Sequence, residues 1–156
     1  MASLAEFARV HTRLETPQID HLQRLVASWG LLADLCFADL LLFVATDQPI
    51  ARPDAGATHE ADAGPDDLAG DLVVLGQVRP LTNQTLYRSD WVGTVVPGSE
   101  RPLVSRSLEL GEIIEGEVTN QVLKERVRAL CIPVRWKGQT IAVVNREAAP
   151  SVRHPG

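Results

Sequence analysis

The sequence predicts an α+β domain: a central antiparallel sheet with helices from the N-terminus packed on it. Three observations carry that expectation. Ile19, Leu22, Val26, Trp29 and Leu32 recur every three to four residues, the spacing of one helix face. Leu40–Val44 then follow as an unbroken apolar run, which suits a strand covered on both sides. Near the end, two β-rich runs flank Lys137–Gly138, a hairpin signal. Strands joined by hairpins beside segregated helices imply an antiparallel α+β architecture.

The elements are expected in the following order. Ser3 and Glu6 match a capping box, and Leu4, Phe7, Ala8 and Leu14 give a modest apolar face, so a first helix is expected over Leu4–Leu14. Thr16 as N-cap and Pro17 as first helical residue open a second, running to about Asp34 unless Gly30 ends it sooner. Asp39–Ala45 is the first strand. Residues 46–70 are rich in Pro, Gly, Ala and Asp, and their few large apolar residues are isolated, so they are expected to form a mobile acidic loop. Asp71–Arg79 is the second strand, ended by Pro80. Thr85–Val96 supplies a third, and Ser99 caps a helix carrying Leu103, Val104 and Leu108, closed by Gly111. Glu112–Lys124 reads as a loop or a short helix. Arg126–Trp136 and Gln139–Arg146 form the closing hairpin. The domain is expected over residues 1–147, with 148–156 a linker or cut end.

Composition narrows the function classes. The 156 residues suffice for one core. With 45% hydrophobic and 22% charged residues the chain is globular, and its net charge of -5 argues against a nucleic-acid binder. The basic stretch from Lys124 to Lys137 reads as the solvated face of a strand. Nothing approaches the roughly 18 apolar residues of a membrane span, and the N-terminus lacks the pattern of a secretory signal. Cys36 and Cys131 read as buried free thiols of a reduced compartment, so the expected location is cytoplasmic.

Chemistry is mainly absent. The sequence contains no phosphate-binding loop, dinucleotide fingerprint, nucleophile elbow, HExxH or CxxC, so no catalytic residue, metal or cofactor is assigned. His59, Glu60 and Asp62 lie on the loop, where no rigid element fixes ligand geometry. His21 reads as a surface or half-buried histidine supporting helix packing. The placed polar residues lie in the middle strands. Gln77 and Arg79 share a strand face, Thr82, Asp90 and Thr94 follow, and Arg135 sits where it can approach the same face. They are either a small pocket for an anionic or nucleotide-like ligand, or a set in which Arg79 pins a loop through Asp90 while the threonines fill β positions.

An ordered series of residues adds a resemblance. His11–Thr12, Asp20–His21–Leu22, Trp29, Leu31–Leu35 and Phe37–Asp39 are followed by Gln77, Arg79–Pro80, Thr85, Asp90 and Gly93–Val96. Then come Pro102–Val104, Gly111, Ile132–Arg135, Gly138, Ile141–Val143 and Arg146. The series resembles the N-terminal GAF-type sensory domain of soluble actinobacterial sensor histidine kinases that signal to antiterminator-type (ANTAR) response regulators. The resemblance implies a GAF/PAS-like fold and a non-catalytic role in a two-component system. In the family a PAS domain, a phosphoacceptor helix and an ATP-binding kinase domain follow. It implies as partners a kinase core, in cis or in trans, a cognate response regulator through that kinase, and a homodimer contact. Some relatives carry cysteines in the second strand; Val74 and Val78 stand there in this chain, so thiol sensing by that route is not expected. The competing expectation is a structural dimerisation module with no small-molecule ligand.

Overall fold

The computed structural model describes residues 3–29, 32, 38–46, 70–79, 90–120 and 124–148. Among these, three helices pack on a six-stranded sheet whose neighbouring strands all pair antiparallel. In chain order the elements are α1 (Leu4–His11), α2 (Thr16–Ala27), β1 (Asp39–Ala45), β2 (Leu72–Val78), β3 (Val95–Val96), α3 (Pro102–Leu110), β4 (Ile114–Asn120), β5 (Glu125–Trp136) and β6 (Gln139–Ala148). The sheet order is β3-β2-β1-β6-β5-β4, so the apolar β1 lies in the middle. Its first six residues are all buried, as an uninterrupted LLLFV run requires.

Both N-terminal helices form, with earlier ends than the sequence suggests. Ser3 Oγ accepts the Glu6 N–H at 3.3 Å and caps α1. The helix stops at His11 rather than Leu14. Thr12 turns to extended backbone, and both its N–H and its hydroxyl bond to the Ala8 carbonyl. Glu15, not Thr16, is the N-cap of α2, and Gln18 Oε1 accepts its N–H at 2.8 Å. Pro17 lies in the first turn, where a missing N–H costs nothing. α2 closes at Ala27 and not near Asp34, because the Ser28 N–H and hydroxyl both turn back onto the Leu25 carbonyl. Trp29 beyond it is buried, whereas Leu32 is exposed.

Three further expectations change. Thr85–Val96 is not one strand: residues 85–89 lie outside the described residues, Trp91–Thr94 form a turn with Gly93 at φ +90°, and Val95–Val96 are the strand that pairs with β2. Ser99 lies within a 3₁₀ turn over Gly98–Glu100, and α3 begins after Arg101, with Pro102 as its first residue. Gly111 ends α3 in the left-handed conformation, as expected. Within Glu112–Lys124, expected as a loop or a short helix, Ile114–Asn120 form β4, paired with β5 from Ile114↔Cys131 to Asn120↔Glu125, and residues 121–123 lie outside the described residues. The β5–β6 hairpin turns at Lys137–Gly138 as expected. The acidic loop, apart from Thr46 and Gly70, lies outside the described residues, as do Thr82, Cys36 and residues 149–156.

α1 and α2 cover one face of the sheet, over Leu40, Leu42, Val44, Val73, Leu75 and Ala142. α3 covers the other, over Leu41, Phe43, Val74, Cys131 and Val143.

Candidate functional site

The α3 face carries a buried ion pair between Arg101 and Glu147. Strand parity puts it there: Val143 points toward α3, so Asn145 and Glu147 do as well. Glu147 is fully buried, and its Oε1 accepts from Asn145 Nδ2 at 2.7 Å and from Arg101 Nη1. Arg101, 8% exposed, sits at the entry to α3. Its guanidinium lies over the Phe43 ring, 5.4 Å from the centroid, and over Trp91 at 5.9 Å. Cys131 Sγ faces Asn145 Oδ1 at 3.6 Å. Burial, reinforced by the charge of Glu147 and opposed by Arg101, pushes the Cys131 thiol up to about 12. That thiol stays protonated and unreactive at neutral pH. Asp39, also buried, is the register partner of Glu147 on β1. Between Arg101, Leu103, Val104, Cys131, Asn145 and Glu147 remains a void of about 10 Å³, roughly the room one water needs.

The expected site residues fall in two places. Gln77 Oε1 accepts the Trp91 N–H at 2.7 Å. Asp90 Oδ1 accepts the Val92 N–H at 2.9 Å, and Thr94 closes the turn through its backbone. Gln77, Asp90 and Thr94 therefore gather around the turn that carries Trp91 over Arg101. Arg79 is exposed just beyond the end of β2, and Thr82 is outside the described residues. Arg135 is elsewhere. It bonds the Gly111 carbonyl at 2.6 Å, capping the C-terminal end of α3 beside an open groove with Gln139 and Thr140. Three strand spacings and four residues separate it from the Gln77 row, roughly 14 Å across and 13 Å along. Arg135 therefore lies on the same side of the sheet as Gln77 but does not converge with it.

Arg101, Asn145 and Glu147 are the residues that sequence reading missed. The signal was the inward parity of a glutamate and an asparagine continuing from Val143. His21 is half-buried, its ring 5.2 Å from that of Trp136, in the packing role expected of it. Among the described residues no group of three or more His, Cys, Asp or Glu can hold a metal, and no helix is long and apolar enough to cross a membrane.

An antiparallel sheet between N-terminal helices on one side and a short helix over a polar cluster on the other defines a GAF-type sensory domain. The comparisons agree and narrow the class. Residues 4–155 match the family model described as "Histidine kinase PdtaS, GAF domain", and the chain belongs to that family. It is 30% identical over 156 residues to a sensor histidine kinase PdtaS of Mycolicibacterium smegmatis, covering 98% of this chain and 27% of that protein. Against the PdtaS of Mycobacterium tuberculosis (strain CDC 1551 / Oshkosh) identity is 34% over 149 residues, covering 94% and 26%. A solved structure titled "Sensor region of a sensor histidine kinase" superposes with a TM-score of 0.66 at 31% identity, covering all of this chain and 46% of that one. The chain thus spans about a quarter of the length of the curated relatives it matches.

Proposed function

We propose that this domain receives a signal and passes it to a histidine kinase module, to which it is joined or docked, and through that kinase to a response regulator. The carrying observation is the Arg101–Glu147 pair, which ties the helix layer over the polar cluster to β6, the last described strand before the C-terminus. A change at the cluster therefore reaches the strand that leads out of the domain, and biases the kinase by a shift between two arrangements. Gln77, Asp90 and Thr94, with Trp91, form the rim of that cluster. With Arg79 they are the contacts proposed for a small anionic or nucleotide-like ligand; Arg135, at the far end of α3, is not among them.

Support comes from family membership. Actinobacterial relatives and the absence of a membrane-spanning helix among the described residues fit a cytoplasmic kinase. The test is autophosphorylation of a kinase carrying this domain. Substituting Glu147→Gln is expected to change the rate several-fold without unfolding the domain. An unchanged rate, together with loss of dimers on deleting residues 2–16, would favour a purely structural dimerisation module.

A further inference from the structure

Arg101 and Glu147 are 8% and 0% exposed, and they join two layers of the fold. Taking both charges out of water costs about as much as their attraction restores, so the pair is poorly explained as a stabilising device. Its surroundings suit a contact that opens and closes. Arg101 keeps the Phe43 and Trp91 faces, and Glu147 keeps the Asn145 amide on its own strand, so separation leaves neither without contacts. The void beside the pair holds no more than a water, so nothing larger enters while it is closed.

We infer that Arg101 is the centre of an oxyanion site whose resting occupant is Glu147. A phosphate- or carboxylate-bearing ligand takes the place of the glutamate and frees the end of β6 from α3. No covalent bond changes: one charge-assisted hydrogen bond on the guanidinium is exchanged for another. The aromatic cover of the site is tied to α1 as well. Gln77 holds the Trp91 N–H, and the Phe7 ring lies against Gly93, where an added Cβ would meet it at 2.5 Å. This inference deepens the sensory reading and rests on it only for the consequence in the kinase.

The experiment uses the full chain with its three tryptophans labelled as 5-fluorotryptophan, and Trp91→Phe assigns the Trp91 resonance. Inorganic phosphate and acetate are titrated separately against chloride at matched ionic strength. The Trp91 resonance is expected to move with phosphate and to stay still with chloride. A parallel response to acetate marks a general oxyanion site, and its absence narrows the ligand to phosphate-bearing molecules. Glu147→Gln removes the internal competitor and should tighten phosphate binding about tenfold, whereas Arg101→Met should abolish it. If Glu147→Gln does not fold, Glu147→Asp, with its shorter reach, should tighten binding to a smaller extent. Equal affinity in wild type and the Glu147 variant, a response surviving Arg101→Met, or a motionless Trp91 would each overturn the inference. A kinase still sensitive to Glu147→Gln in that case would leave the sensory reading standing.

Discussion

The two faces of the central sheet are built from different materials. Under α1 and α2 lie Leu40, Leu42, Val44, Val73 and Leu75, packed against Ile19, Leu22 and Trp29, with the buried Thr12 finishing α1 and holding the Leu14 N–H. Under α3, Phe43, Val74 and Val143 share their layer with Arg101, Asn145 and Glu147. Opening the first face forfeits its apolar burial, with no polar partner exchange to offset the loss. The second holds groups that exchange partners at little net cost. A scaffold on one side thus leaves the other free to respond.

The largest expected effect tests the scaffold. Trp29→Ala should lose about 3–5 kcal/mol in urea unfolding, and a loss below about 1 kcal/mol would end the contrast. The second tests the responsive face. Glu147→Leu should cost about 3 kcal/mol, the lower end for an orphaned buried charge because Arg101 keeps two aromatic faces. Combining it with Arg101→Met should restore most of the loss, a coupling that a double-mutant cycle reads directly. Between the faces, Gly93→Ala should cost about 1–3 kcal/mol. Adding Phe7→Ala should recover only part of it, since removing the ring leaves the positive φ.

A smaller, pH-dependent effect belongs to Cys131. Its folded value of about 12 stands above the ordinary 9.0, so the unfolded chain releases the proton first as pH rises. The thiol's contribution is whole below pH 9 and falls from there toward pH 12, by about 1 kcal/mol per pH unit. Cys131→Ala should remove that alkaline slope. The smallest effect lies on the surface. Neutralising Glu115 or Glu117, which pair with Arg128 and Arg126 across β4 and β5, should cost under about 1 kcal/mol and vanish in high salt.

Local signals made much of the fold legible. The LLLFV run located β1 to the residue, and Lys137–Gly138 located the hairpin, because both depend on near neighbours. β4 was misread although Ile114, Gly116 and Val118 alternate with Glu115, Glu117 and Thr119. Its charged side faces away from α3, and so polar an edge strand looks like a loop. Of the candidate site, Gln77 and its neighbours were visible as polar residues on a strand. The Arg101–Glu147 pair spans 46 positions of the chain, and no local periodicity reports a partner that distant. Arg135 failed to join Gln77 for a related reason: sharing a sheet face does not fix how many strands lie between.

One residue of β2 has no counterpart on β1. The register passes from Leu42↔Gly76 to Phe43↔Val74 and steps over Leu75. Leu75 and Gly76 therefore both turn toward α2, where a Cβ on Gly76 would strike Val26 at 2.9 Å. From there on the alternation is inverted, so that Gln77 meets the backbone of Trp91 and Val78 returns to the apolar side. Were Leu75 to keep strict alternation instead of sharing a side with Gly76, the outlook of everything downstream in the strand would swap. A glutamine would be left in oil, and a valine would take its seat beneath the tryptophan turn.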